Sequence, residues 1–154
     1  MVESSRHDGS GGTLDDVDRV LLRELVDDGR ATLAALAEKA GLSVSAVQSR
    51  VRRLESRGVI EGYSAKVDPD ALGQYLSAFV AITPLDPSAP DDAPERLRAL
   101  PAVEACHSVA GEESYVLMVR VASPRALEHL LQEIRATANV HTRSTIILQT
   151  FYER

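Results

Sequence analysis

The sequence predicts an α+β chain of two small domains, a three-helix domain followed by a ferredoxin-like βαββαβ sandwich. Three observations carry that prediction. Apolar residues recur at helical spacing from Leu14 to Leu54, the period shifts to two near residue 60, and beyond Gln74 strand-like and helix-like runs alternate in the order β-α-β-β-α-β. Such an order places two helices on one face of a four-stranded antiparallel sheet. The divisions fall at a polar, glycine-rich tail over 1–12, a helical domain over 13–60, a connector strand and hinge over 61–73, and the sandwich over 74–154.

Each element has its own signal. "TLDDVDRVLLRELVDDG" carries Leu14, Val17, Leu21 and Leu25 on one face, with Thr13 and Asp16 spaced as a capping box and Gly29 as the stop. "RATLAALAEKAG" repeats the pattern from Thr32 to Gly41. A third helix runs from about Ser43 to Arg57 and stops at Gly58, and "VIEGYSAKV" then alternates as a strand before the turn "DPDALG". In the second half "YLSAFVAITP" is a strand ended by Pro84, "ERLRALP" a short helix, and "AVEACHSVAG" a strand alternating through Val103, Ala105, His107 and Val109. "SYVLMVRVAS" is a more apolar strand, "PRALEHLLQEIRATA" a helix opened by Ser123 and Pro124, and "VHTRSTIILQTFYE" the last strand.

Composition narrows the function. A hydrophobic content of 44% is that of a globular chain, and the single cysteine, Cys106, supplies neither an internal disulfide nor metal-ligand spacing. No apolar run reaches the length of a membrane span and the N-terminus has no apolar leader core, so the expected location is cytoplasmic. His107, His129 and His141 are scattered as structural histidines, and no P-loop, G-x-S-x-G or H-E-x-x-H motif occurs. The expectation is a protein that is not an enzyme and needs no cofactor.

The net charge of −6 argues against nucleic-acid binding over the whole surface, yet the charge is uneven. Residues 30–57 hold the cations Arg30, Lys39, Arg50, Arg52, Arg53 and Arg57 against the acids Glu38 and Glu55. At about 100° per residue, Val44, Val47, Val51 and Leu54 face the core of the helical domain. Ser45, Gln48, Ser49, Arg52 and Ser56 cluster opposite, flanked by Arg50, Arg53 and Arg57. A stripe that is hydrogen-bonding at its centre and cationic at its edge suits a helix in the DNA major groove. "TLAALAEKAGLSVSAVQSRVRRLE" adds what a helix-turn-helix requires: small Ala37 where helices cross, Gly41 at the turn, Leu42 as a plug and Ser43 as the next cap. Ser45, Gln48, Ser49 and Arg52 are the candidates for base edges, Arg30, Arg50, Arg53 and Arg57 for phosphates, and Ser43 opens the contacting helix.

The stretch "LDDVDRVLLRELVDDGRATLAALAEKAGLSVSAVQSRVRRLESRGVIEGYSAKVDPDALG" resembles the N-terminal module of the Lrp/AsnC (leucine-responsive, feast/famine) transcriptional regulators, its actinobacterial members above all. The resemblance extends from Leu14 to Tyr152. It implies a homodimer assembling to a tetramer or octamer, with a nucleoid-associated location and the sandwich serving oligomerisation and sensing of a free amino acid. The family's G-D-Y-D-Y type effector loop falls on "AGEESY" here. Gly111 and Tyr115 match, whereas Ser114 stands in place of the second aspartate and leaves Glu113, with Glu112 in competition, to receive an ammonium group. The resemblance assigns Val109, Gly111, Glu112, Glu113 and Ser114 to the effector, joined by Thr142, Ser144 and Thr145 of "HTRSTI", where relatives supply hydroxyls. The competing reading is a ligand-sensing or nonspecific DNA-packaging oligomer, which flat affinity across unrelated duplexes would reveal.

Overall fold

A computed structural model describes residues 13–152, which form two compact units divided between Lys66 and Val67. The first contains helices α1 (Asp16–Asp27), α2 (Leu33–Ala40) and α3 (Val44–Ser56). Its core is Leu21, Leu36, Ala37, Val47 and Val51, with Val17, Leu25, Leu33, Leu42 and Ile60 packed around them. These are the residues that helical periodicity places inside, with one exception: Val44 is 46% exposed. It occupies the first turn of α3, where its place on the apolar arc does not bury it.

Side chains at the helix starts satisfy backbone N–H groups that have no partner within the helix. Thr32 accepts from Ala35 N–H and Ser43 from Ala46 N–H, each at 3.2 Å. The cap of α1 is Asp15 and not Thr13. Asp15 accepts from Asp18 N–H at 2.8 Å while the Asp18 carboxylate accepts from Asp15 N–H at 3.4 Å, a capping box built of two aspartates. Between α2 and α3, Gly41 adopts φ +65°, and Leu42 N–H donates to Ala37 O at 3.0 Å. A left-handed residue is what folds the chain back sharply enough to start α3 three residues later.

The expected connector strand does not form: residues 61–68 make no ladder. A strand exists only by pairing, and a unit of helices offers no strand edge to pair with. Tyr63 donates its hydroxyl hydrogen to Glu55 at 2.9 Å, which anchors the segment to the end of α3.

The second unit comprises β1 (Leu76–Pro84), α4 (Ala93–Leu97), β2 (Val103–Ser108), β3 (Tyr115–Val121), α5 (Pro124–Ala138) and β4 (Val140–Ile147). The strand order is β2-β3-β1-β4 with every pair antiparallel, the split βαβ sandwich. Alternation decides which side chains meet the helices. Ala78, Val80 and Ile82 of β1 and Leu117, Val119 and Val121 of β3 are buried against Leu97, Leu127, Leu130 and Ile134. Ser123 caps α5 through Ala126 N–H at 3.2 Å, and Asn139, at φ +54°, makes the one-residue link from α5 to β4.

The sheet face away from the helices carries Phe79, Ala81, Val116 and Met118, and Phe79 is 46% exposed there. On β2 the register slips between Val103 and Ala105, a bulge that changes the parity of the rest of the strand. Cys106 therefore packs against the core and His107 is exposed, the reverse of simple alternation from Val103. β4 ends at Ile147, short of the expected end of the last strand.

Candidate nucleic-acid interface and effector loop

The capped start of α3 leaves Ser43, Ser45 and Ser49 exposed and Gln48 partly exposed, with small side chains around a projecting amide. Arg52 follows on the same face, exposed, without a hydrogen bond or ion pair among the described residues. Small polar residues in the first turns let a helix backbone come close to base edges, and Gln and Arg are the side chains that make bidentate contacts to purines. Arg30 lies exposed just before α2. Arg57 is partly buried at the C-cap of α3, where its N–H donates to Arg53 O at 3.1 Å.

Arg50 and Arg53 are placed differently from the expectation that they meet phosphates. Arg50 Nη1 donates to Asp15 Oδ2 at 2.6 Å and to Asp18 Oδ1 at 2.8 Å, and Arg53 Nη2 donates to Asp18 Oδ1 and Oδ2 at 3.2 and 3.1 Å. The guanidinium groups are thus held by carboxylates of α1 and its cap. Asp18 is 1% exposed, and a buried carboxylate persists only when paired and hydrogen-bonded. Asp15 is held below its ordinary pKa, first because it accepts the Asp18 backbone N–H and then because Arg50 bonds to it. Arg50 is correspondingly held more firmly protonated by Asp15 and then Asp18. The sequence spacing Asp15-x-x-Asp18 is open to recognition as a cap; its pairing with arginines more than thirty residues away is not.

In the second unit the β2–β3 loop brings its candidates into one stretch. Val109 N–H donates to Ser114 O at 3.2 Å, Ser114 N–H donates to Ile82 O at 3.1 Å, and Gly111 and Glu112 are exposed at the tip. A Cβ added at Gly111 would meet nothing within 4 Å, so the chain itself does not require glycine there. Glu113 accepts a hydrogen bond from Arg143 of β4 in an ion pair. Sequence spacing gives no sign of Arg143, because nothing local links a loop glutamate to an arginine two strands away. Tyr115 donates to Asp91 Oδ2 at 2.7 Å, and this bond, before burial, pushes the phenol up to about 12.

Register separates the three hydroxyl candidates of β4. Thr142 and Ser144 pair with Ile82 and Val80 and lie on the helix side, where Arg135 of α5 donates to Thr142 Oγ1 at 2.9 Å. Thr145 pairs with Phe79 and shares the open face with Arg143, which pairs with Ala81. A single ligand on one face of the sheet therefore does not meet all three from one copy of the chain. Among the described residues no cluster of three His, Cys, Asp or Glu side chains is arranged to hold a metal ion, and no helix is long and apolar enough to cross a membrane.

A helix-turn-helix reader and a small-molecule sandwich carried on one chain define a class, the DNA-binding transcriptional regulators with a built-in ligand domain. The model of the winged helix-turn-helix DNA-binding family matches residues 14–61, and that of the Lrp/AsnC ligand-binding domain matches residues 77–154. The chain is 76% identical over 139 residues to the HTH-type transcriptional regulator LrpA of Mycobacterium tuberculosis, covering 90% of this chain and 93% of that protein. It is 36% identical over 154 residues to the leucine-responsive regulatory protein of Escherichia coli, covering 97% and 92%. The feast or famine regulatory protein of M. tuberculosis, solved in complex with L-methionine, superposes with a TM-score of 0.90 at 74% identity, covering 92% of this chain and 96% of that one. The chain belongs to the Lrp/AsnC family of transcriptional regulators.

Proposed function

We propose that this regulator reads DNA by laying α3 in the major groove and that its DNA binding and assembly respond to a free amino acid. The observation that carries the first part is the exposed face of α3. Ser45, Gln48, Ser49 and Arg52 turn toward base edges, Ser43 brings the helix start to the backbone, and Arg30 and Arg57 meet phosphates, while Arg50 and Arg53 serve the reader from within. Residues 13–60 form this reading module and residues 74–154 the effector and assembly domain. A homodimer assembling to a tetramer or octamer pairs the recognition helices on a partly palindromic site in the cytoplasm, at the nucleoid. The open sheet face with Phe79, Val116 and Met118 supports that assembly, since such a surface is stabilised when covered.

The effector reading draws support from the relative bound to L-methionine and from the pair Glu113–Arg143. A free amino acid carries an ammonium and a carboxylate; a glutamate beside an arginine offers each of them its complement, so a zwitterion can exchange into the ion pair without leaving a charge unmatched. The effector then acts by linkage through the assembly, favouring one spacing of the paired helices over another.

Alanine in place of Gln48 or Arg52 tests the DNA reading. Each removes one bidentate hydrogen-bonding group and should cost roughly 1–3 kcal/mol of discrimination between operator and random duplex. Variants that keep full discrimination and lose only overall affinity would refute the assignment of α3 to base reading. Wild-type affinity that is flat across unrelated duplexes would favour nonspecific packaging instead.

A further inference from the structure

The buried carboxylate on α1 bears directly on how α3 meets DNA. Asp18 is 1% exposed and lies in the first turn of α1. Its two oxygens accept from Arg50 at 2.8 Å, from Arg53 at 3.2 and 3.1 Å, and from Asp15 N–H at 3.4 Å. Arg50 and Arg53 are three residues apart, one turn of the same helix, so the carboxylate grips α3 at two levels. Rolling α3 by a single residue, about 100°, would carry both guanidinium groups away from it. An arginine that swings out to a phosphate leaves the buried carboxylate with one guanidinium instead of two, and the loss of both would leave it uncompensated, which is among the costlier events in a folded protein.

We propose that Asp18 is a positioning residue for DNA recognition: it fixes the roll of α3 and withholds Arg53 and, together with Asp15, Arg50 from the DNA phosphates. The polar stripe from Ser45 to Arg52 then meets the groove in one orientation. Sequence-independent affinity comes from phosphate neutralisation, so cations held back from the backbone lower that part of the affinity and leave a larger share of recognition to the base-edge contacts. The inference rests on the reading of α3 as the groove-entering helix.

The test is the salt dependence of binding to a labelled mixed-sequence duplex, followed by fluorescence anisotropy with the full chain. Asp18→Asn removes the charge and nearly preserves shape. Arg50 keeps Asp15, whereas Arg53 hydrogen-bonds to Asp18 alone and is released. The slope of log affinity against log salt should steepen by about 0.9, the increment for one further phosphate, with tighter binding at low salt. A slope equal to wild type in a folded Asp18→Asn protein overturns the proposal. Should that variant lose helix content by circular dichroism, Arg50→Gln decides, because Asp18 then remains paired with Arg53. An unaltered slope supports the withheld arginine, and a slope shallower by about 0.9 places Arg50 on a phosphate and overturns it. Arg57→Gln separates the two levels of inference, since the reading of α3 places Arg57 at a phosphate, where its loss must weaken binding of the same duplex. Failure to do so removes the end of α3 from the interface and this proposal with it; a weakened Arg57→Gln beside an unchanged Asp18→Asn slope overturns the role of Asp18 alone.

Discussion

Replacing Phe79 by alanine is the sharpest probe of assembly. Phe79 stands on the sheet face opposite the helices, between Met118 of β3 and Thr145 of β4, and is 46% exposed. Its neighbours along β1, Ala78 and Val80, are the ones that hold the core, so truncation leaves the sandwich intact. A phenylalanine side chain presents roughly 200 Å², so roughly 90 Å² remains for a partner to cover. At about 25 cal/mol per Å² this is about 2 kcal/mol per copy, and a two-fold interface contains the residue twice, giving about 4–5 kcal/mol per dimer. The expected outcome is a dimer dissociation constant raised up to about a thousandfold, with alanine's remaining Cβ making this an upper value. Sedimentation velocity over a concentration series of the full chain reads it, and circular dichroism checks that the fold persists. A dissociation constant within a factor of about three of wild type would show that burial of Phe79 contributes little to association and that copies do not meet on this face.

Two other outcomes follow from the second unit. Glu113→Gln should weaken binding of whichever of the twenty amino acids raises the thermal stability of the chain, by calorimetry roughly tenfold or more, the scale of one charge-assisted hydrogen bond, while DNA affinity without amino acid stays near wild type; undiminished affinity for that amino acid would move the site off the β2–β3 loop. Tyrosinate absorbance should reveal one of the four tyrosines titrating near 12, absent in Tyr115→Phe. Because the folded pKa lies above the unfolded value of 10.0, the Tyr115–Asp91 bond contributes its stability fully below pH 10.0 and loses it as pH rises through about 12. Equal loss of stability across that range in wild type and Tyr115→Phe would mean the bond contributes nothing.

Local signals carry most of the architecture. Thr32, Ser43 and Ser123 each announce a helix start by a side chain that reaches only three residues ahead, and the structure uses all three as caps. The β-rich, apolar composition of "YLSAFVAITP" and "SYVLMVRVAS" likewise marks both as strands, since it is a property of each segment alone, while which of their residues face the helices is settled by the packing. Apart from the cap of α1, where Asp15 acts in place of the expected Thr13, what failed was decided at a distance. Val44 satisfies the helical period and is still 46% exposed, because periodicity names a face of the helix and not what packs on it. Residues 60–67 alternate like a strand with no strand beside them. The bulge after Val103 shifts parity within β2 through its pairing with β3. The candidate sites divide the same way. The outward placement of Gln48 and Arg52 is legible from the face of one helix, whereas the commitment of Arg50 and Arg53 to Asp18, and of Glu113 to Arg143, depends on contacts that periodicity does not encode.

The slipped register of β2 also bears on how far copies of this chain can associate. β2 and β4 are the two edges of the sheet, and an edge is a row of open donors and acceptors to which another strand can add without limit. A bulge tightens the local twist, and Glu104, projecting from the bulged segment and paired with Arg120 at 3.0 Å, sets a charge beside it. A straight incoming strand cannot follow such an edge. Growth by strand addition is thereby discouraged on that side. On the proposed assembly, where a two-fold contact on the sheet face consumes both surfaces and ends, such an edge keeps filament formation in check.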